Sequence, residues 1–170
     1  DGMPENTGQA VIEDQEGFIL IGTQNGLSRF DGFEFRHFKH RENDSTTLSN
    51  NQVESLLCAR DGKIWAGTRN GINVFDPITE EVRFFLPDSA DFFNTNWFSP
   101  HLAEDAEGQI WASTGIGLYA FGDPEFSRVK FYPFGNGEAG PASIVAVSPF
   151  THQVWAASTN GLYTVAEGEL

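Results

Sequence analysis

The stretch Trp65-Ala-Gly-Thr-Arg-Asn-Gly-Ile72 is one of four related copies in a chain of 170 residues. The other copies are Leu20-Ile-Gly-Thr-Gln-Asn-Gly-Leu27, Trp111-Ala-Ser-Thr-Gly-Ile-Gly-Leu118 and Trp155-Ala-Ala-Ser-Thr-Asn-Gly-Leu162. Their final glycines, Gly26, Gly71, Gly117 and Gly161, are 45, 46 and 44 residues apart. A single globular core has no need of such regular spacing, whereas an array of similar structural units requires it.

The second copy, with its flanking residues, is typical of four short strands joined by tight turns. The turns contain Asp61-Gly62, Asn70-Gly71 and Asp76-Pro77, which favour the backbone conformations of hairpins. The predicted strands are Val53 to Cys58, Ile64 to Thr68, Ile72 to Phe75 and Val82 to Phe85. Small antiparallel sheets repeated at this period are the blades of a β-propeller. We therefore predict an all-β fold, namely a β-propeller fragment of about four blades, each a four-stranded antiparallel sheet, with the last blade incomplete.

The predicted blades cover approximately residues 7–38, 51–85, 97–132 and 143–165. Propellers close with roughly four to eight blades, so residues 1–170 are expected to form a partial propeller. The remaining blades and any signalling domains are expected outside this chain. A partial ring leaves strand edges and a blade face uncovered, which predicts association through these edges with the remaining blades or with a second subunit.

The first residue of each copy falls at one structural position. Trp65, Trp111 and Trp155 occupy it, and Leu20 takes their place in the first copy. A residue repeated in every unit usually serves the packing of the units, so these tryptophans are predicted to pack between blades rather than to bind a ligand. The small residues two positions later, such as Gly22, predict a close approach of neighbouring blades.

Composition excludes several partners. Twenty-four acidic and ten basic residues give a net charge of −14, which repels phosphate backbones and anionic lipid headgroups. No segment approaches the roughly 20 apolar residues that cross a bilayer. We therefore expect neither nucleic acid nor direct membrane contact as partners of this chain.

Two segments carry a resemblance to a known family. Asp14-Gln-Glu-Gly-Phe-Ile-Leu-Ile-Gly-Thr-Gln-Asn-Gly-Leu-Ser-Arg-Phe-Asp31 resembles the two-component regulator propeller repeat, Asp-x-x-Gly-x-Leu-Trp-Ile-Gly-Thr-x-x-Gly-Leu-x-Arg-Phe-Asp. Leu48-Ser-Asn-Asn-Gln-Val53 is similar to the Leu-x-x-Asn-x-Val segment that leads into each inner strand of that family. Leu20 in place of tryptophan is a departure from the pattern.

The resemblance implies a function. Such repeats form the periplasmic, extracytoplasmic sensor region of bacterial signalling proteins, most often hybrid histidine kinases and sometimes diguanylate cyclases. The implied module is not itself an enzyme, and a transmembrane segment outside this chain would anchor it. The implied ligand is a small molecule or an oligosaccharide. The family shares no catalytic residues that could be placed on this sequence.

Candidate binding residues follow from the two faces of a propeller. The turns between the second and third strands share one face with the long connectors between blades, and the other turns, which hold most of the acids, share the opposite face. Long loops on a rigid scaffold commonly bind ligands. We predict a ligand rim at Arg69, Trp97 and His101, with Phe92 and Phe93 behind it. Alternatively, Trp97 only begins the third inner strand.

Two other functions stay open. A structural or protein-interaction propeller would dock other domains and show no response to small molecules. A propeller lyase would need a histidine and an acid near the channel, and only His101 is suitably placed. The four histidines lack metal-ligand spacing, and Gly115-Ile-Gly-Leu-Tyr-Ala120 matches a dinucleotide pattern only where a hairpin turn is predicted. We therefore expect neither a metal nor a cofactor.

Overall fold

The computed structural model describes residue 2 and residues 7–86, 100–134, 144–159 and 161–165. Within these ranges there are fifteen strands in four antiparallel sheets and no helix. The predicted all-β architecture is confirmed, and so is the incomplete last sheet, which has three strands. The chain divides into two compact units, Asp1–Leu86 and Pro87–Leu170.

The first unit contains two four-stranded sheets whose strands pair in chain order. Sheet 1 consists of β1 Gly8–Glu13, β2 Ile19–Thr23, β3 Gly26–Phe30 and β4 Phe35–Phe38. Sheet 2 consists of β5 Val53–Cys58, β6 Ile64–Thr68, β7 Gly71–Phe75 and β8 Val82–Phe85.

The second unit contains the other two sheets, again paired in chain order. Sheet 3 consists of β9 His101–Glu104, β10 Ile110–Thr114, β11 Gly117–Phe121 and β12 Val129–Pro133. Sheet 4 consists of β13 Ile144–Val147, β14 Val154–Ser158 and β15 Gly161–Thr164.

The Thr-x-x-Gly sequence of the first three copies builds the turn between the second and third strands. The threonine hydroxyl donates a hydrogen bond of 2.9–3.0 Å to the carbonyl of the glycine three residues later, in the pairs Thr23–Gly26, Thr68–Gly71 and Thr114–Gly117. These threonines are buried. Because a buried hydroxyl must be hydrogen-bonded to avoid a desolvation cost, the turn explains why threonine recurs.

The glycine of this turn lies against the fourth strand. A Cβ atom at Gly71 would lie 2.6 Å from the carbonyl oxygen of Phe85, and its φ is +142°. Side-chain-bearing residues rarely adopt this backbone conformation. Glycine therefore recurs in the repeat because of both the backbone conformation and the close approach.

An aspartate closes the hairpin between the first and second strands. In sheet 1, Oδ1 of Asp14 accepts hydrogen bonds from the N–H groups of Glu16 and Phe18, at 3.0 and 2.9 Å. Asp105 makes the equivalent bonds in sheet 3, and its Oδ2 accepts a 2.7 Å bond from the indole N–H of Trp111. These acids are therefore turn formers, as an aspartate in this position favours.

Neighbouring sheets pack face to face within each unit. Leu20 and Leu27 of sheet 1 share one buried cluster with Val53, Ala66 and Phe75 of sheet 2. In the second unit, a cluster of the same kind joins sheets 3 and 4 through Trp111, Leu118, Val145, Val154 and Ala156. In the second cluster the large Trp111 of sheet 3 lies with the smaller Val145, Val154 and Ala156 of sheet 4.

The predicted packing of the tryptophans between sheets is confirmed for Trp111, which lies in the cluster that joins sheets 3 and 4. Trp65 and Trp111 are buried, with exposed fractions of 1% and 4%, whereas 37% of Trp155 is exposed. Trp155 lies on the face of sheet 4 that no described sheet covers, so its packing between blades stays a prediction. The close approach at Gly22 is confirmed, since a Cβ there would lie 2.8 Å from Cγ1 of Val53 in sheet 2.

Replacing Gly71 with alanine tests the turn. We expect Gly71→Ala to lower the free energy of unfolding by more than about 2 kcal/mol, because both the backbone conformation and the approach to Phe85 exclude a side chain. Gly32 also has a positive φ, +96°, but a Cβ there meets nothing within 4 Å. The control Gly32→Ala should cost only about 1 kcal/mol. Equal losses in urea unfolding would contradict the steric argument.

Candidate functional site

A cavity of about 340 Å³ lies in the first unit, where the connector between β4 and β5 meets the Thr68–Gly71 turn of sheet 2 and the end of β8. It is therefore on the connector face, where a ligand site was predicted. Its lining combines amide, hydroxyl, imidazole and charged groups with two apolar side chains: His40, Arg41, Asn43, Asp44, Ser45, Ser49, Asn70, Phe84 and Leu86.

Hydrogen bonds within the connector shape this cavity. The backbone N–H of His40 donates to Oδ1 of Asn51 at 2.8 Å. The imidazole Nδ1 lies 2.6 Å from the carbonyl oxygen of Leu48. A carbonyl can only accept, so Nδ1 carries the proton, and a neutral His40 keeps its lone pair on Nε2. The Nδ1 atom of His40 thus holds the connector.

Asp44 closes the tip of the connector. Its Oδ1 accepts hydrogen bonds from the hydroxyl and the N–H of Thr46, at 2.6 and 3.1 Å. These bonds hold the pKa of the Asp44 carboxyl below its usual value, because they stabilise the charged form. The nearby Arg41 guanidinium lowers the same pKa further. Asp44 is therefore an anion in the lining at neutral pH.

Buried Asn73 of β7 ties the connector to sheet 2. Its Oδ1 accepts a 2.8 Å bond from the N–H of Ser49, and its Nδ2 donates to Oγ of Ser49 at 3.0 Å. The Ser49 hydroxyl also lies 3.0 Å from Oγ1 of Thr68. Since Ser49 lines the cavity, this buried network holds the cavity wall against the sheet.

Backbone bonds fasten the end of the connector to both sheets. The N–H of Gly26 in sheet 1 donates to the carbonyl of Asn51 at 2.7 Å, and the N–H of Arg69 in sheet 2 donates to the carbonyl of Gln52 at 3.2 Å. Leu48 and Val53, on either side of these residues, are fully buried. The Leu-x-x-Asn-x-Val segment therefore joins the two sheets and supports one side of the cavity.

The lining can bind a small polar molecule that has one apolar surface. The Asn70 amide offers hydrogen bonds of both directions, and Phe84 offers an aromatic side chain. Within the described ranges, the exposed guanidinium of Arg41 has no hydrogen-bond partner. It is available to an anionic or hydroxylated ligand. The described residues hold no group of three or more His, Cys, Asp or Glu side chains that could bind a metal ion.

The predicted ligand rim is only partly described. Arg69 does not line the cavity, since its Nε donates to Oε1 of Glu54 at 3.2 Å, but its neighbour Asn70 does. His101 lies in the second unit, exposed at the start of β9 and opposite Ser113. Trp97, Phe92 and Phe93 lie outside the described residues. Arg69 and His101 therefore belong to different units, and the rim stays a prediction.

Sequence reasoning missed most of the lining. His40 and Asn70 were placed on the correct face, but neither was singled out. The role of Asn73 was also missed. The available signal was a polar side chain at the centre of an otherwise apolar strand, Gly71–Phe75, because a buried amide of this kind requires several specific partners.

On the opposite, acidic face of the first unit, arginine and lysine side chains form ion pairs with the acids. The guanidinium of Arg29 lies 3.4 Å from Asp14 and 3.2 Å from Glu16, donates to the carbonyl of Pro77 at 3.2 Å, and lies 3.7 Å from the centre of the Phe18 ring. A smaller cleft of about 120 Å³ beside these groups also contains the ion pair between Lys63 and Asp76. Structural ion pairs therefore account for the acids around this cleft.

Comparisons with known proteins agree with this architecture. Residues 47–70 match the family model described as Two component regulator propeller. The predicted family resemblance and the β-propeller fold are thereby confirmed. No protein of curated function matches this chain in sequence. No helix in the described ranges is long and apolar enough to cross a membrane.

Three solved structures illustrate the likeness. The extracellular domains of two hybrid two component systems from B. thetaiotaomicron are 20% and 21% identical to this chain, with TM-scores of 0.73 and 0.71 over 95% and 98% of it. This chain spans only 22% and 23% of their length. Virginiamycin B lyase from Staphylococcus aureus is 16% identical, with a TM-score of 0.71 over 96% of this chain and 54% of the lyase. At these identities the likeness shows the fold alone.

Replacing Asn73 with alanine tests the support of the cavity. We expect Asn73→Ala to lower the free energy of unfolding by about 1–3 kcal/mol, because buried groups on Ser49 and Thr68 lose a partner. Hydrogen exchange at the Ser49 amide should accelerate in the same variant. Asn50 accepts a single local bond, from the Gln52 N–H at 2.8 Å, so Asn50→Ala serves as the control and should leave the exchange at Ser49 unchanged. Unaltered exchange in Asn73→Ala would contradict the anchoring role.

Acid titration tests the turn aspartates. Asp123 accepts hydrogen bonds from the hydroxyl and N–H of Ser127, and with the guanidinium of Arg128 these bonds lower its pKa from 3.8 to about 2. A lowered pKa adds stability above the ordinary value, and this contribution disappears as the pH falls through the folded value. Wild type should therefore exceed Asp123→Asn in stability above about pH 4, and the difference should shrink towards pH 2.

Urea unfolding of both proteins between pH 6 and pH 2 measures this difference. Ser127→Ala should reduce it, because the Ser127 hydroxyl is the largest cause of the lowered pKa. A difference that does not depend on pH would show that the carboxylate contributes nothing through its charge.

Proposed function

We propose that this chain, which carries the two component regulator propeller repeat at residues 47–70, is a ligand-sensing part of the extracytoplasmic region of a bacterial two-component sensor. The observation that carries the proposal is the 340 Å³ cavity between the connector and the Thr68–Gly71 turn. Its volume lies at the lower end of the roughly 300–1,000 Å³ of small-molecule sites. The module itself carries out no reaction in this proposal.

The ligand is an oligosaccharide or another small polyhydroxylated molecule. Sugar hydroxyls need donors and acceptors together, which Asn70 and Arg41 provide around the cavity. The apolar face of a sugar ring can lie on an aromatic side chain such as Phe84.

Binding would act by favouring one conformation over another. The connector is bonded to the turns of both sheet 1 and sheet 2, so a ligand that bridges the connector and Asn70 stabilises one arrangement of this region. A ligand shifts a conformational equilibrium by its difference in affinity for the two states. In the parent protein, a membrane segment outside this chain would pass the shift to a histidine kinase or a diguanylate cyclase.

The lyase alternative gains no support from the described geometry. Among the described residues, no carboxylate lies within ion-pairing distance of His101. The likeness to virginiamycin B lyase is a likeness of fold at 16% identity. A non-enzymatic module is therefore the better proposal.

Alanine substitution in the cavity tests the sensing proposal. A panel of oligosaccharides is screened by thermal shift, and the affinity of any stabilising sugar is measured by calorimetry. Asn70→Ala and Phe84→Ala should each weaken the affinity about tenfold or more, because each removes a direct contact worth over 1 kcal/mol. Asn25 is the matched control, since it occupies the same turn position in sheet 1 and does not line the cavity.

The outcomes separate the candidate sites. Loss of binding in Arg69→Ala or Trp97→Ala, with Asn70→Ala unaffected, would move the site to the predicted rim. A panel that never stabilises the wild type would reject an oligosaccharide sensor and favour the protein-interaction propeller.

A further inference from the structure

The tip of the connector between β4 and β5 forms hydrogen bonds only within itself. The N–H of Arg41 donates to Oγ1 of Thr47 at 3.1 Å, and the N–H of Thr47 donates to the carbonyl of Asp44 at 3.3 Å. The N–H of Asp44 donates in turn to the carbonyl of Arg41 at 3.3 Å, and Thr46 bonds to the Asp44 carboxylate. In the part of the chain that the structure describes, no hydrogen bond or ion pair joins residues 41–47 to sheet 1 or sheet 2. We call these residues the cap.

The cap also lacks apolar anchors. Its sequence is Arg-Glu-Asn-Asp-Ser-Thr-Thr, and none of these side chains is buried. Burial of apolar surface is the main force that holds a segment to its scaffold, and segments with few buried apolar contacts open at a low cost in free energy. Leu48, the next residue, is fully buried. The attachment to the scaffold therefore begins where the cap ends.

Two hydrogen bonds of His40 mark the other end of the cap. Its backbone N–H donates to Oδ1 of Asn51, and its Nδ1–H donates to the carbonyl of Leu48. Both partners follow the cap in sequence, so these bonds close the base of the loop. The cap can therefore turn about the chain at His40 and Leu48 without breaking its own hydrogen bonds or those of the sheets. Lids of binding sites move about such positions at the ends of a loop.

The cap contributes one part of the cavity lining, and sheet 2 contributes another. Arg41, Asp44 and Ser45 belong to the cap, whereas Asn70 and Phe84 belong to sheet 2. Because the cap has no hydrogen bond to sheet 2 among the described residues, its displacement would open the cavity without breaking one.

We propose that the cap is a lid of the ligand cavity, which opens to admit a ligand and closes on it. This inference rests on the proposed function, since it assigns a motion to that same site. A polar ligand that contacts Asn70 together with Arg41 or Asp44 supplies the bridge between cap and sheet 2 that the chain itself lacks. Binding therefore favours the closed arrangement, and release of the ligand requires the cap to open.

Nuclear magnetic resonance relaxation of the backbone amides in the 170-residue chain tests the lid without any ligand. The amides of Arg41, Asp44 and Thr47 should share one motion, on the nanosecond or the microsecond-to-millisecond timescale, because their hydrogen bonds hold the cap together as one body. The amides of Ser49 and Val53 should not show this motion, since Ser49 bonds to Asn73 and Val53 is buried in the contact of sheets 1 and 2.

Two variants outside the cavity lining separate the base of the cap from its interior. Asn51→Ala removes the acceptor of the His40 N–H, so the common motion should become faster. Thr47→Val removes both bonds of the Thr47 hydroxyl, so the residues of the cap should no longer share one motion. Asn50→Ala is the matched control, because the Asn50 side chain accepts only the local bond from Gln52. Circular dichroism should show the same fold for all three variants.

An oligosaccharide that stabilises the wild type in the thermal-shift panel provides a second test. At saturation this oligosaccharide should suppress the motion of the cap. Its dissociation, measured by stopped flow, should be about fivefold faster from Asn51→Ala than from wild type, as expected for one lost hydrogen bond. Asn50→Ala should leave the dissociation rate unchanged.

Three results would overturn the lid. The first is a wild type in which the amides of the cap relax like those of the sheets. The second is a motion that Asn51→Ala and Asn50→Ala alter equally. The third is a bound oligosaccharide that leaves the motion of the cap unchanged. A panel without a stabilising sugar would instead reject the oligosaccharide sensor, and the relaxation of the ligand-free chain would still decide on the lid.

Discussion

Each sheet of this chain has two apolar faces, and no sheet can bury either face by itself. Leu20 and Leu27 are buried only because Val53, Ala66 and Phe75 lie against them, and Trp111 is buried in the same way by the neighbouring sheet. Removal of such surfaces from water stabilises a protein by roughly 25 cal/mol per Å². The repeat spacing, the small residues at the contacts and the exposure of Trp155 all follow from this requirement.

The repeated part of the structure could be predicted from the sequence because its constraints are local. Thr68 and Gly71 act within one hairpin, and Asp105 caps its own turn, so four registered copies were enough to predict the strands and their order. The exposure of Trp155 could not be predicted from its own repeat, because burial depends on a neighbouring sheet. The same local pattern is therefore buried in Trp111 and exposed in Trp155.

The sequence predicted on which face the cavity lies, but it did not predict most of the residues that line it. Its walls depend on contacts between distant segments, such as His40 with Leu48 and Ser49 with Asn73, and these contacts have no periodic signature. Arg69 was a reasonable candidate by position, but its side chain pairs with Glu54 and does not line the cavity. The residue that lines the cavity, Asn70, directly follows the predicted one, Arg69, along the turn.

The anchoring of the connector also bears on how such a protein can be altered. After the loop 40–47, Leu48 is buried, and Asn51 and Gln52 bond to the turns of both sheets. These contacts fix the position of the backbone before β5 begins. Changes within the loop therefore need not propagate into sheet 2. The scaffold can accept grafted or lengthened loops at this position, which would allow one architecture to be adapted to many different ligands.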